Sequence, residues 1–451
     1  MFAYFYRLTV EMKVLKFGGT SVGSVENMRA VMNLVADGEQ KVVVLSAMSG
    51  TTNSLVDISN FLYNKNKDSA RLIIGKLQQK YRKVVDELFF SDENKTRGYQ
   101  IIKQSFDTVN SFAAGVLNKV GENTILAQGE LISTQLFALL MQENGHNAVL
   151  LPALEFMRID EEKAADQYFI RQNLATALRN NPTVDYYITQ GYICRNADGE
   201  IDNLQRGGSD YTASLIGAAI DSEEIQIWTD IDGFHNNDPR YVENTKKIEQ
   251  LSFNETAELA YFGAKILHPQ TVLPAKAHNI PVRLKNTMNP SDSGTLITSE
   301  SDGGGIKAVA AKDGITAIKI RSGRMLMAYG FLKNVFEVFE KYKTPIDMIS
   351  TSEVAVSLTI DDLHSLGEIL VELGRYGSVE IDKDMTIVCI VGDIIQEEKG
   401  FASKVFNALD GIPIRMISYG GSRHNISILI PTSQKKKTLQ ALSDNLLNNG
   451  G

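Results

Sequence analysis

The feature that most constrains this chain lies near its start. A short strand pattern, Lys13-Val-Leu-Lys-Phe17, runs into Gly18-Gly-Thr-Ser-Val-Gly23. A helical stretch over about 25–37 follows, and then a buried-type strand over 41–45. Strand, glycine turn, helix and strand make a βαβ unit, which requires a parallel sheet with helices on its faces. Further strands are expected at 148–152, 185–193, 225–229 and 281–285, and 54–120 reads as mostly helical. The first 300 residues therefore read as one large α/β domain.

A polar, glycine-rich stretch, Ser299-Glu-Ser-Asp-Gly-Gly-Gly305, has linker composition. Beyond it come a strand (315–321), a helix (331–342), strands (345–350 and 355–360), a helix (362–373) and a strand (377–381). That βαββαβ order is ferredoxin-like. The order restarts with a strand (386–391), a helix (401–409), strands (413–417 and 425–431) and a helix (435–447), without its last strand. An extra strand at 306–312 is expected to complete the second module's sheet and interlock the two copies. The domain reading is thus 12–300, 306–383 and 384–451.

Composition excludes several classes. At 43% hydrophobic and 22% charged the 451-residue chain is globular rather than disordered. No run approaches the roughly 18–20 apolar residues of a membrane span, and a net charge of −8 argues against nucleic acid. Cys194 and Cys389 are too few for a disulfide framework or a cysteine-rich zinc site, and read as buried small hydrophobes. No metal-ligating cluster is expected, and a reducing, cytoplasmic setting fits. Residues 1–11 are too short and broken for a signal-peptide core, and read as a loose extension.

Gly19-Thr-Ser-Val-Gly23 fits the GxSxG nucleophile elbow, but only about 15 residues precede it, too few for the strands and oxyanion loop a serine hydrolase needs. A phosphate cradle fits better. Gly18 and Gly19 let the backbone approach an anion closely, and Lys16 at the strand end supplies a compact positive charge. GxxxxGK[ST] is absent, so this is not a P-loop.

Taken whole, Lys16-Phe-Gly-Gly-Thr-Ser-Val-Gly23 closely resembles the N-terminal signature of the aspartate kinases, in the amino-acid-kinase superfamily. Five further segments resemble the family's blocks in the family's order. Ser46-Ala-Met-Ser-Gly-Thr-Thr-Asn53 implies that Ser46 and Thr52 face aspartate. Gln128-Gly-Glu-Leu-Ile-Ser-Thr134, read as preceding an apolar helix, implies that Glu130 binds the substrate and holds Lys16. Arg206-Gly-Gly-Ser-Asp-Tyr-Thr212 implies Arg206 on the aspartate α-carboxylate, with Ser209 and Asp210 beside it. Trp228-Thr-Asp-Ile-Asp-Gly233 with Asp238-Pro-Arg240 implies Thr229 and Asp230 near adenosine, Arg240 near phosphates, and His235 where many relatives carry Tyr. Phe262-Gly-Ala-Lys-Ile-Leu-His-Pro269 adds Lys265 as a nucleotide contact.

The resemblance implies a three-layer α/β/α kinase domain followed by two ACT domains, the family's amino-acid-sensing modules. It implies transfer of the γ-phosphoryl of ATP, with Mg²⁺, to the side-chain carboxylate of L-aspartate, giving 4-phospho-L-aspartate, the first step towards lysine, threonine and methionine. Lys16, Gly18, Gly19 and Asp210 would form the catalytic centre. Feedback by an end-product amino acid, lysine above others, would act through Met325, Gly330, Phe331, Leu332, Ile346, Asp347, Ser352 and Glu353. The ACT modules would also pair chains into a homodimer or tetramer. The chain stops after the second module, so a monofunctional enzyme is expected. An acetylglutamate or glutamate kinase would lack the ACT pair, and a catalytically dead sensor would have lost Lys16, Arg206 or Asp210.

Overall fold

The computed structural model describes residues 12–447 apart from 114, 206, 264–265, 301–304, 324–328 and 394–399. The extension 1–11 and the site candidates Arg206, Lys265 and Met325 lie outside the described residues. Packing divides the chain into two compact units, one of residues 1–233 and 267–299, the other of 234–266 and 300–451.

The first unit is built on a sheet to which it contributes strands in the order Ala148–Leu150, Tyr186–Gln190, Lys41–Leu45, Lys13–Phe17, Ile225–Thr229, Val282–Asn286 and Thr295–Thr298. All neighbours are parallel except the last pair. Every residue of Lys41–Leu45 is buried, as a central parallel strand requires. Leu15, Phe17, Val43 and Leu45 join a core with the helices Val25–Val35 and Lys119–Glu143. The alternate residues Val14, Val42 and Val44 are equally buried on the opposite face. Helices therefore cover both faces.

Lys119–Glu143 is one 25-residue helix. The Gln128–Thr134 block lies in its middle, not ahead of it. Gly129 is the reason the sequence looked broken there. A Cβ at that position would come 2.8 Å from the Ala47 Cβ, so the glycine lets the helix press against the loop after the second strand. This is the one helix among the described residues long and apolar enough to cross a membrane, and 83% of its apolar window is buried inside the protein.

The second unit holds a six-stranded antiparallel sheet in the order Ile349–Thr351, Ala355–Ile360, Gly305–Arg321, Ser378–Asp393, Asn425–Pro431 and Met416–Tyr419. Its two central strands are long, 17 and 16 residues. Where the sequence suggested four short strands, each pair is continuous. The apparent breaks are bulges in the ladder, with register shifts at Lys312/Ile315 and Ile315/Ala317. Gly314 and Asp384 take left-handed backbone there, which reads as a turn in sequence. The 305–312 stretch pairs with 387–393, beside Asn425–Pro431.

Segment 234–266 packs within this second unit although it interrupts the first in sequence. Val242 sits in one apolar core with Val309, Val388, Ile390 and Leu439. Asn237 donates to the Leu439 carbonyl at 3.1 Å. Both cysteines are free and buried, and burial pushes the Cys194 thiol up to about 12.

Candidate active site

The central strands of the first unit all point their carboxyl ends at one rim, and in open parallel sheets that rim is where ligands bind. Phe17 leads into Gly18, Leu45 into Ser46 and Gln190 into Gly191. The loops at Gly18–Gly23 and Ser46–Gly50 lie against each other, with Ser49 N–H donating to the Gly19 carbonyl at 3.1 Å. A Cβ on Gly19 would stand 2.9 Å from the Ala47 carbonyl oxygen, so the close approach needs glycine there.

Between these loops is a pocket of about 460 Å³, lined by Lys16, Ser46, Thr52, Glu130, Ser209 and Asp210 among others. Two 13-residue helices begin at its wall, Thr51–Tyr63 and Gly208–Ile220. Their N-caps, Gly50 and Gly207, adopt left-handed backbone (φ +77° and +73°) and carry no side-chain cap. Thr51 N–H donates to the Met48 carbonyl at 3.0 Å and Gly208 N–H to the Gln205 carbonyl at 3.1 Å. It is therefore the next N–H groups of each first turn, uncapped by any side chain, that can serve a ligand, and two positive dipole ends meet at one cavity. The helix after the first glycine loop differs, because Ser24 caps it by accepting from Asn27 N–H at 3.1 Å.

Three charged groups complete the pocket. Lys16 Nζ lies 2.6 Å from Asp210 Oδ1, both side chains largely buried. It is therefore Asp210, not Glu130, that holds the lysine. Glu130 is buried, accepts from Ala47 N–H at 3.3 Å through Oε1, and leaves Oε2 without a partner. Burial pushes its carboxyl up to about 7, against the lowering effect of its backbone hydrogen bonds. Ser46 Oγ donates to Ser209 Oγ at 3.0 Å, and Ser133 Oγ donates to the Ser46 carbonyl at 2.7 Å. The site can hold anions at the helix ends and one cation at Glu130.

The structure gathers Lys16, Gly19, Ser46, Thr52, Glu130, Ser209 and Asp210 around one cavity, with Gly18 adjoining Lys16. Thr229 and Asp230 end a neighbouring strand, where the Thr229 hydroxyl donates to the Asp230 carboxylate at 3.1 Å. They do not line the pocket. His235 and Arg240 belong to the second unit. The His235 ring nitrogen Nδ1 is 3.1 Å from Thr245 Oγ1. The exposed Arg240 forks onto Asp238, whose carboxylate raises the guanidinium further.

Sequence reasoning missed Tyr192 and Gln205, which also line the cavity. Both are non-glycine residues in left-handed backbone, at φ 70° and 59°. Tyr192 is held there by donating its N–H to Thr212 Oγ1 and by accepting from Leu204 N–H. Burial, then the charge of Glu130, pushes its phenol up to about 12. Lys80 was also passed over; it donates to the Ser49 carbonyl at 2.8 Å, bracing the pocket loop.

In the second unit Gly330 is the uncapped, left-handed N-cap of the helix Phe331–Lys341. Phe331 is buried, Leu332 exposed, and Ser352 N–H donates to the Ala355 carbonyl. Ile346 packs at the edge of the apolar core that includes Phe331, while Glu353 is exposed. The side chain of Asp347 is buried within an ion-pair cluster. Among the described residues no group of three His, Cys, Asp or Glu side chains is arranged for a metal ion.

A largely parallel sheet with a lysine-bearing pocket at its strand ends and no P-loop fits a small-molecule kinase outside the P-loop class. The sequence pattern of the amino acid kinase family matches residues 11–286, and that of the ACT domain matches 388–446. The lysine-sensitive aspartokinase 3 of Escherichia coli (strain K12) is 32% identical over 97% of this chain and 99% of that protein. The crystal structure of E. coli aspartokinase III in complex with aspartate and ADP superposes with a TM-score of 0.80 at 31% identity, covering 97% of this chain and all of that one. The same enzyme in complex with lysine and aspartate gives 0.79 at 31% identity, covering 97% and 99%. The chain belongs to the amino acid kinase family, and its full-length relatives put it among the aspartokinases.

Proposed function

We propose that this protein transfers the γ-phosphoryl group of ATP to the side-chain carboxylate of L-aspartate. The observation that carries the reading is the pairing, in one cavity, of two uncapped helix N-termini with a buried glutamate whose outer oxygen lacks a partner. Aspartate presents two carboxylates and one ammonium, and the pocket offers that complement. The ammonium goes to Glu130 Oε2. The α-carboxylate goes to Arg206 and the Gly207–Ser209 backbone, leaving the side-chain carboxylate near Ser46, Thr52 and Lys16.

That nucleophile is already ionised near neutral pH, its reference pKa being about 3.9, so no general base is needed. The carboxylate oxygen attacks the γ-phosphorus, the bond to the β–γ bridging oxygen breaks, and ADP leaves. The difficulty is joining two anions, and catalysis is chiefly positioning and charge stabilisation. Lys16 supplies the charge at the transferring group, with Asp210 fixing its direction. A Mg²⁺ ion would enter on the nucleotide phosphates and would neutralise charge there, taking most of its ligands from phosphate oxygens and water. Thr229 and Asp230 are the nucleotide candidates of the first unit, and the family resemblance also assigns His235, Arg240 and Lys265 to the nucleotide.

An amino-acid effector, lysine in the first instance, acts at the first ACT module through Met325, Gly330, Phe331, Leu332, Ile346, Asp347, Ser352 and Glu353. The edge strand Ile349–Thr351, exposed along its length, suits pairing with a second chain. Two buried free thiols suit a reducing, cytoplasmic setting. The test is ADP formation with aspartate, glutamate and acetylglutamate as acceptors, with and without L-lysine. Turnover confined to aspartate supports the reading; turnover confined to another acceptor refutes it.

A further inference from the structure

Asp347, named above as part of the effector site, already holds an ammonium group of this chain. Lys312 Nζ is 2.7 Å from Asp347 Oδ1 and 2.9 Å from Asp361 Oδ2. The Tyr261 hydroxyl donates to the same Asp347 oxygen at 2.9 Å, and its ring lies 4.7 Å from the lysine nitrogen. Two carboxylates and an aromatic face are what a primary ammonium seeks. Asp347 is 2% exposed and its second oxygen has no partner, whereas Asp361 is 39% exposed. A second ammonium arriving at Asp347 meets the charge of Lys312 unless the lysine withdraws, and Asp361 is already within its reach.

We propose that Lys312 is a tethered competitor for the effector's ammonium: an amino-acid effector engages Asp347 only as Lys312 is handed over to Asp361. This rests on the reading of Asp347 as part of the effector site, and adds what controls its affinity. The place of Lys312 in the fold gives the handover a route outward. It sits at the bulge joining the two halves of Gly305–Arg321. Its neighbour Asp313 pairs with Lys435 Nζ at 2.6 Å, and that nitrogen lies 4.1 Å from the Tyr241 ring. Tyr241 and Tyr261 both belong to segment 234–266, which also carries His235, Arg240 and Lys265. Tyr261 ends the helix Phe253–Tyr261, itself fastened to the second module where Ser422 donates to Glu258 at 2.7 Å. A shift of Lys312 is thus felt at two anchors of the segment bearing the nucleotide candidates.

The experiment uses the full chain with L-lysine and, separately, L-threonine as probes, reading affinity by titration calorimetry and inhibition by ADP formation. Lys312→Met is expected to bind the effective probe about 10-fold more tightly, at the low end of typical coupling factors, and Lys312→Arg to stay within 2-fold of wild type. Asp361→Asn, a change at a half-exposed side chain, removes the second berth and is expected to weaken binding about 10-fold even if Lys312→Met folds poorly. Tyr261→Phe is expected to bind normally but to be inhibited less. Unchanged affinity in Asp361→Asn, or binding of neither probe by both wild type and Lys312→Met, overturns the proposal. Failure of the aspartate kinase reading is distinguishable, because it appears as no ADP formation from aspartate without effector, in wild type as in every variant.

Discussion

The unpartnered carboxylate of Glu130 makes a thermodynamic prediction that is independent of turnover. Its folded-state pKa is raised from an ordinary 4.5 to about 7 by burial. A carboxyl group raised in the folded state stabilises that state only while protonated. The cost of ionising it is therefore absent below about pH 4.5, grows between 4.5 and 7, and is complete above 7. At about 1.4 kcal/mol per pH decade, the interval amounts to about 3 kcal/mol in the empty protein. Glu130→Gln removes the titration but keeps an oxygen to accept from Ala47 N–H. Thermal melts of both proteins at pH 5, 6, 7 and 8 should show the variant gaining on wild type as pH rises, by roughly 5–10 °C at pH 8. Saturating aspartate should erase that gap by bringing an ammonium to Oε2. A melting difference that stays constant from pH 5 to 8 refutes the reasoning, since Glu130 would then be solvated or paired.

The remaining predictions concern catalysis and packing. Lys16→Ala should lower kcat by about 10³-fold or more with the circular dichroism spectrum unchanged; near-normal turnover removes Lys16 from the mechanism. Arg206→Ala should chiefly raise the KM for aspartate while leaving that for ATP within a few fold, and an unchanged aspartate dependence counts against its role. Gly191→Ala places a Cβ 2.5 Å from Ser209 Cβ and Oγ. It should cost about 1–3 kcal/mol of stability by overpacking and break the Ser46–Ser209 hydrogen bond, lowering kcat/KM; a variant with wild-type melting and kinetics contradicts this packing.

Much of the site was legible because its chemistry is local. Lys16 and the glycines after Phe17 announce a strand running into a close backbone turn. Arg206-Gly-Gly-Ser-Asp announces a glycine turn opening into a helix, although the cap turns out to be Gly207 and not the serine. What the sequence did not reveal depends on contacts across distance. Nothing near Glu130 or Asp210 says which of them reaches Lys16; that follows from how Lys119–Glu143 and Gly208–Ile220 cross the sheet. Gly129 looks like a helix breaker and is a contact point with Ala47. Gly314 and Asp384 look like turns and are bulges inside two long strands, so the interlock expected from strand 306–312 is built from two continuous strands and not from four short ones. Tyr192 and Gln205 carry no signature, because left-handed backbone at a non-glycine residue is imposed by its neighbours. Likewise, nothing within 234–266 tells that Val242 and Tyr261 pack in the second unit.

The central claim is that the pocket joins phosphate to an aspartate carboxylate. Its most direct test is to trap the product: incubate the protein with MgATP, L-aspartate and hydroxylamine, and measure aspartyl hydroxamate against ADP. The account predicts hydroxamate and ADP in equal amounts, both lost in Lys16→Ala. ADP formed from aspartate without hydroxamate, or hydroxamate formed only from glutamate or acetylglutamate, would contradict it.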